Sequence, residues 1–193
     1  MRFFKTYRLL PVLLALLVLI LPACKSELTS QTEAVQSYYA GLNAGDFQQV
    51  TALMADTFVV IEGDFTRKQS RADHYTMFQW DSVFASTYDI KNLEQVDAGI
   101  RVRVASSSVR YAYLKNNPLA CEMTFSFQDR KINKLLVGEC PEADWGLWEA
   151  RRDSMVAWID SNHTHLSGFI YDLTKEGAEQ YLEAMSLYES RIE

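Results

Sequence analysis

Apolar residues recur at Val35, Tyr38, Tyr39 and Leu42, the i, i+3, i+4, i+7 spacing that lines one face of a helix, while Glu33, Gln36 and Ser37 fall elsewhere. Ser30 followed by Glu33 reads as a capping-box start for that helix. Gly45 suits the left-handed residue that stops it. Asp46 then offers a cap to a short second helix, which points Phe47, Val50 and Leu53 or Met54 inward. At Thr57 the residues turn β-branched and aromatic, so residues 57–61 are expected as a strand buried on both faces. Ser70 and Asp73 frame a third helix through Asp81, with Tyr75, Phe78 and Trp80 as its bulky contents.

Between Ser86 and Cys140 the period is mainly two. It predicts strands over residues 86–96, 100–114, 119–128 and 132–140, joined by turns at Asp97-Ala98-Gly99, Asn116-Asn117-Pro118 and Asp129-Arg130-Lys131. Along the long second strand the apolar positions change phase. Ile100, Val102 and Val104 are even, whereas Val109, Tyr111 and Tyr113 are odd. A flip across Ser106-Ser107-Ser108 predicts a β-bulge, and bulges bend sheets. From Pro141 onward helix formers dominate. Trp145, Trp148, Met155 and Ile159 trace one helical face, and Ala178, Tyr181, Leu182, Met185 and Tyr188 trace another after a cap at Thr174. A loop from Asn162 to Asp172, containing Ser167-Gly168, joins them into a helical hairpin.

The run YYAGLNAGDFQQVTALMADTFVVIEGD resembles the opening of the nuclear-transport-factor-2-like superfamily, which includes SnoaL-like polyketide cyclases and ketosteroid isomerases. That resemblance implies an α+β fold in which N-terminal helices pack on a cone-like curved antiparallel sheet. The cone domain would cover residues 30–140. Residues 141–193 would form a helical extension that closes over the cone or covers an edge of the sheet. Such a scaffold implies a fold far more than a function.

An N-terminal address precedes the domain. Arg2, Lys5 and Arg8 are followed by a charge-free run from Leu9 to Ala23, a secretory signal in its charged start and apolar middle. Leu21-Pro22-Ala23-Cys24 resembles a bacterial lipobox, which makes Cys24 the acylated first residue after residues 1–23 are removed and residues 24–29 a polar tether. Acyl chains such as palmitate on Cys24 would hold the protein on the membrane without a spanning helix. Lys25 is not the aspartate that favours inner-membrane retention in the enteric sorting rule. In a source with two membranes, an outer-membrane site facing the periplasm is therefore expected. Cleavage removes three basic residues and no acid, leaving the mature chain more acidic than the −6 of the whole sequence. With no basic cluster, that balance speaks against nucleic acid as a partner.

With Cys24 acylated, Cys121 and Cys140 remain as an even pair flanking the expected turn at residues 129–131. A two-residue or bulged turn would put them on the same face. A disulfide closing that loop would contribute about 3 kcal/mol in the chain-entropy model, and two reduced core cysteines are the other reading.

Phosphate-loop, Gly-x-Ser-x-Gly and His-Glu-x-x-His signatures are absent, and no cofactor is expected. Asp160, His163 and His165 form a weak metal set, better explained as a solvated helix end, so no metal is expected either. Arg101 and Arg103 alternate with apolar residues and suit a solvated sheet face or an acidic ligand group.

By the resemblance to ketosteroid isomerases, a carboxylate near the end of the first strand would act inside the cone. Glu62 or Asp64 stands in that place. Tyr38, Tyr88, Tyr111 or Tyr113 could donate to a developing oxyanion, and His74 and Trp80 would lie near the cone's mouth, completing the candidate ligand-binding set. The expected role is a membrane-anchored envelope lipoprotein that binds a small apolar ligand, or another envelope protein through the open sheet face, alone or as a homodimer. The alternative is a SnoaL-like or isomerase-like enzyme with the pocket carboxylate as general base.

Overall fold

A computed structural model describes residues 27–191; the signal segment, Cys24 and the start of the tether lie outside the described residues. Helix α1 (Glu27–Ala44) is already formed at Glu27, so Ser30 lies inside it rather than at its cap. Gly45 stops α1 with φ +68, and the Asp46 side chain accepts from Gln49 N to start α2 (Phe47–Leu53). The two helices meet closely where a Cβ on Gly41 would come within 2.9 Å of Val50.

Strand β1 (Met54–Glu62) turns at Gly63-Asp64 into β2 (Phe65–Ser70), an edge strand that the sequence pattern missed. After an exposed Phe65 its residues are polar, and all but Gln69 are exposed, so no alternation marks it. Ser70 and Asp73 form a capping box on α3 (Arg71–Val83). The strands β3 (Thr87–Val96), β4 (Gly99–Ser107), β5 (Leu119–Gln128) and β6 (Lys131–Val137) follow. They complete a six-stranded sheet in the order β2-β1-β6-β5-β4-β3. Every pairing is antiparallel except β1 with β6, which is parallel.

The phase flip after Ser107 is not a bulge within a long strand. The strand ends there, and Ser108 caps a short helix, α4 (Val109–Tyr113), by accepting from Tyr111 N. Alternation lost across three serines therefore marks a change of element. The irregularity of that hairpin sits instead on β3, where the register shifts between Ile90 and Asn92. Beyond Val137 the chain keeps to β5 through Gly138 N to Glu122 O and Glu122 N to Glu139 O, which brings Cys140 to Cys121, and the two form a disulfide.

Asp144 caps α5 (Trp145–Asn162), two 3₁₀ turns follow at Thr164–Leu166 and Phe169–Tyr171, and Thr174 caps α6 (Lys175–Ser190). Two cores result. Residues from α1, α2 and the sheet, among them Val35, Tyr39, Phe58, Val102 and Phe125, fill the cone. Trp80 of α3 and the Phe84 that caps its end, Tyr113 of α4 and the Leu114 that caps its end, and Trp148, Met155, Ile159, Tyr181 and Met185 form a second core. The C-terminal hairpin thus packs on α3 and α4 rather than along a sheet edge. Trp145, expected on its inner face, is 46% exposed. Among the described residues no helix is long and apolar enough to cross a membrane.

Candidate functional site

Helix α3 lies between the two cores and aims different residues at each. His74, Met77, Phe78 and Asp81, at i, i+3, i+4 and i+7, border a cavity of about 290 Å³ whose other walls include Tyr38, Tyr39 and Leu42 from α1, Tyr88 from β3, and Met123 and Leu135 from the sheet. Its lining is mainly apolar, with a few convergent polar groups, the composition of small-molecule sites. The start of β3 is pinned to α1 by Asn43, whose amide nitrogen donates to Tyr88 O at 2.7 Å and whose Oδ1 accepts from Tyr88 N at 2.8 Å.

Asp81 is the polar centre of this cavity. Burial pushes its carboxyl up to about 6, against the lowering pull of the Arg110 charge and of a hydrogen bond from Tyr88. The Tyr88 hydroxyl donates to Asp81 Oδ2 at 3.4 Å. Burial also raises the Tyr88, Tyr39 and Tyr38 hydroxyls, so all three remain protonated donors at neutral pH. Desolvation lowers His74 to about 4, which keeps it neutral there. Its Nε2 lies 3.3 Å from the Tyr38 hydroxyl, and its ring packs edge-on to Phe58 at 5.0 Å between centroids. The site therefore offers one carboxylate that titrates near neutrality, neutral donors, and an aromatic wall.

A larger cavity, about 770 Å³, adjoins the first. Met77, Asp81 and Met123 line both, and Glu62, Trp80, Arg110, Tyr111, the Cys121–Cys140 disulfide, Trp145 and Leu173 line the larger one alone.

Of the residues expected from sequence, Tyr38, His74 and Tyr88 border the smaller cavity, and Trp80, Tyr111 and Glu62 the larger. Glu62 is exposed at the end of β1. Asp64 is exposed in the β1–β2 turn, outside the lining of either cavity. Tyr113 points into the second core, where its ring lies 4.8 Å from the Arg151 guanidinium and its hydroxyl is buried without a partner. Arg101 and Arg103 make ion pairs with Glu94 and Glu142 at 3.4 and 2.8 Å. His165 faces Glu183 at 3.8 Å, and among the described residues no cluster of His, Cys, Asp or Glu could hold a metal ion.

Sequence reasoning missed Asp81. The signal was present: it is an acid on the same helical face as His74, Met77 and Phe78, where an amphipathic surface helix would place an apolar residue.

No protein-family model matches the chain, and no curated protein matches it by sequence. Solved structures do resemble it. Bal32a, from a soil-derived mobile gene cassette, superposes with a TM-score of 0.51 at 15% identity, covering 65% of this chain and 98% of its own. An NTF2-like protein of unknown function from Cytophaga hutchinsonii gives 0.46 at 12% identity over 58% of this chain and 91% of its own. SalBIII, an epoxide hydrolase/cyclase-like enzyme of pyran ring formation in the polyether salinomycin, gives 0.47 at 18% identity over 56% and 88%. The fold is the α+β curved-sheet fold of Bal32a. A third or more of this chain lies beyond each match.

Proposed function

We propose that this protein is an envelope lipoprotein, tethered through acylated Cys24, whose cone binds a small and mainly apolar ligand with one hydrogen-bonding group directed at Asp81. One observation carries the ligand reading: an aromatic-walled cavity of about 290 Å³ encloses a carboxyl group that burial has pushed up to about 6 and that only a long 3.4 Å bond from Tyr88 partners among the described residues. A largely desolvated carboxyl group left so poorly satisfied costs free energy that a hydrogen-bonding group of a ligand would recover. The lipobox-like Leu21-Pro22-Ala23-Cys24 supports the tether.

The test is uptake of N-phenyl-1-naphthylamine, whose fluorescence rises on entering an apolar cavity, by the mature chain and by Ser82→Phe. Ser82 borders the cavity from an exposed position on α3, so a phenyl ring there obstructs the space without removing core packing. Saturable uptake that falls at least about tenfold in the variant, a difference of about 1.4 kcal/mol, is expected. Uptake equal in the two proteins would overturn the reading.

A second reading is favoured by Asp81 itself: a desolvated acid with a tyrosine donor beside it meets the residue requirements of a general base working near neutral pH. It would take over the role that the isomerase resemblance gave to Glu62 or Asp64. Asp81→Asn separates the readings. An enzyme would lose turnover of its substrate by 10²-fold or more while still binding it; a binding protein purified from its host would yield the same ligand unchanged with either residue.

A further inference from the structure

Arg110 stands at the junction of four elements. Its guanidinium carbon lies 5.0 Å from the ring centre of Trp80 on α3, 5.0 Å from Trp148 on α5, 5.5 Å from Tyr181 on α6 and 5.7 Å from its neighbour Tyr111. Rings around a guanidinium stabilise its charge through their faces, yet they satisfy none of its in-plane N–H donors. Among the described residues Arg110 has no ion pair, and its Nε is buried with no hydrogen-bond partner. The side chain borders the larger cavity, and Asp81, which feels its charge, borders both cavities.

We propose that Arg110 is the anion-reading residue of the cone, and that the ligand is a carboxylate-bearing apolar molecule of the fatty-acid type, its chain in the smaller cavity and its carboxylate on the Arg110 guanidinium in the larger. This rests on the reading of the cone as a ligand site and adds the class of ligand. Three features converge on it. A guanidinium caged by rings, with its Nε unpartnered and its side chain on the cavity border, calls for a planar acceptor, and a carboxylate meets its fork with two parallel hydrogen bonds. The smaller cavity is apolar and aromatic, which suits a chain rather than a sugar or a peptide. Of the three acids that border the larger cavity, Glu62 and Glu139 are exposed and hence screened by salt, whereas Arg110 and the third acid, Asp81, are not exposed. Asp81 would meet the head group as hydrogen-bond partner in its protonated form.

Calorimetric titration of the mature chain with decanoate and with decanol tests the proposal, with N-phenyl-1-naphthylamine uptake run in parallel. Decanoate is expected to bind at least about tenfold more tightly than decanol. Arg110→Met, which keeps an apolar stem among the rings, should bring the two affinities together. Arg110→Lys keeps the charge but not the planar fork, and should lose most of the preference; it serves alone if the methionine variant does not fold. Equal affinities in the unmodified chain, a preference that survives both substitutions, or a cone that takes up the probe but not decanoate would each overturn the role of Arg110 and leave the cone reading standing. Failure of all three molecules to bind would overturn the cone reading itself.

Discussion

Two buried groups on one face of α3 depart from their ordinary titration in opposite senses, and their effects on stability oppose each other. Asp81, raised from 3.8 to about 6, holds its proton more tightly in the folded protein than in the unfolded chain. Stability from this group is greatest below its unfolded value and falls as pH rises from about 4 to about 6. His74, lowered from 6.5 to about 4, is the converse: folding excludes its proton, so stability falls as pH drops from 6.5 towards 4. Each shift corresponds to about 3 kcal/mol. In the unmodified protein the two slopes nearly cancel between pH 4 and 6. Asp81→Asn should therefore expose the histidine slope, with stability rising by up to about 3 kcal/mol from pH 4 to 6.5, and His74→Gln should expose the opposite one. Urea unfolding at four pH values in this range measures both. Acids such as Asp73 and Asp172, held low by hydrogen bonds from Ser70 and Thr174, contribute equally to all three proteins and drop out of the comparison. If the three pH profiles run parallel, neither group is desolvated as described.

At the scale of elements, the parts of the fold legible in the sequence were those specified by short-range chemistry. The cap at Asp46, the capping box of Ser70 and Asp73, the cap at Thr174 and the glycine stop at Gly45 all need only neighbours within about four residues, and each is realised. The inward faces of α1 and α6 were legible for the same reason, because burial repeats at the helical period: Val35, Tyr38 and Tyr39 are buried, as are Ala178, Tyr181 and Met185. What was not legible depended on partners far along the chain. Strand β2 carries Thr66, Arg67, Lys68 and Gln69, and it is a strand because β1 lies beside it, with Val60 opposite Arg67. A solvated edge needs no apolar alternation. The odd-phase run Val109, Tyr111, Tyr113 looks like a strand until Ser108 is seen to cap it. As a helix it sends Tyr113 into the second core and leaves Tyr111 on the larger cavity. The candidate site shows the same division. Tyr38, His74 and Tyr88 could be named from residue type and rough position, whereas Asp81 and Arg110 acquire their character from burial by elements 30 or more residues away, such as Trp148 and Tyr181 around Arg110.

The whole molecule is organised around α3, which contributes Trp80 to the C-terminal core and sets His74 against Tyr38 and Phe58 of the other. Its Trp80 and the Phe84 that follows its last turn are buried in the C-terminal core, with Phe84 edge-on to Tyr181 at 5.6 Å, while His74, Met77 and Asp81 border the smaller cavity. A helix thus shared cannot leave one core without disturbing the other, so the cone and the C-terminal hairpin should unfold as one cooperative unit. Met155 tests this from a distance. It is fully buried in the C-terminal core and borders neither cavity. Met155→Ala should cost about 2–5 kcal/mol through lost burial and the cavity left behind. For a chain of this size that lowers the thermal midpoint by roughly 4–20 °C. Scanning calorimetry should still show a single transition, and the fluorescence of N-phenyl-1-naphthylamine in the cone should be lost at that same lowered midpoint. Two resolved transitions, with the probe retained through the first, would mean that the hairpin melts off a cone able to stand without it. The second core would then be an appendage, and α3 would owe its position to the sheet and the N-terminal helices alone.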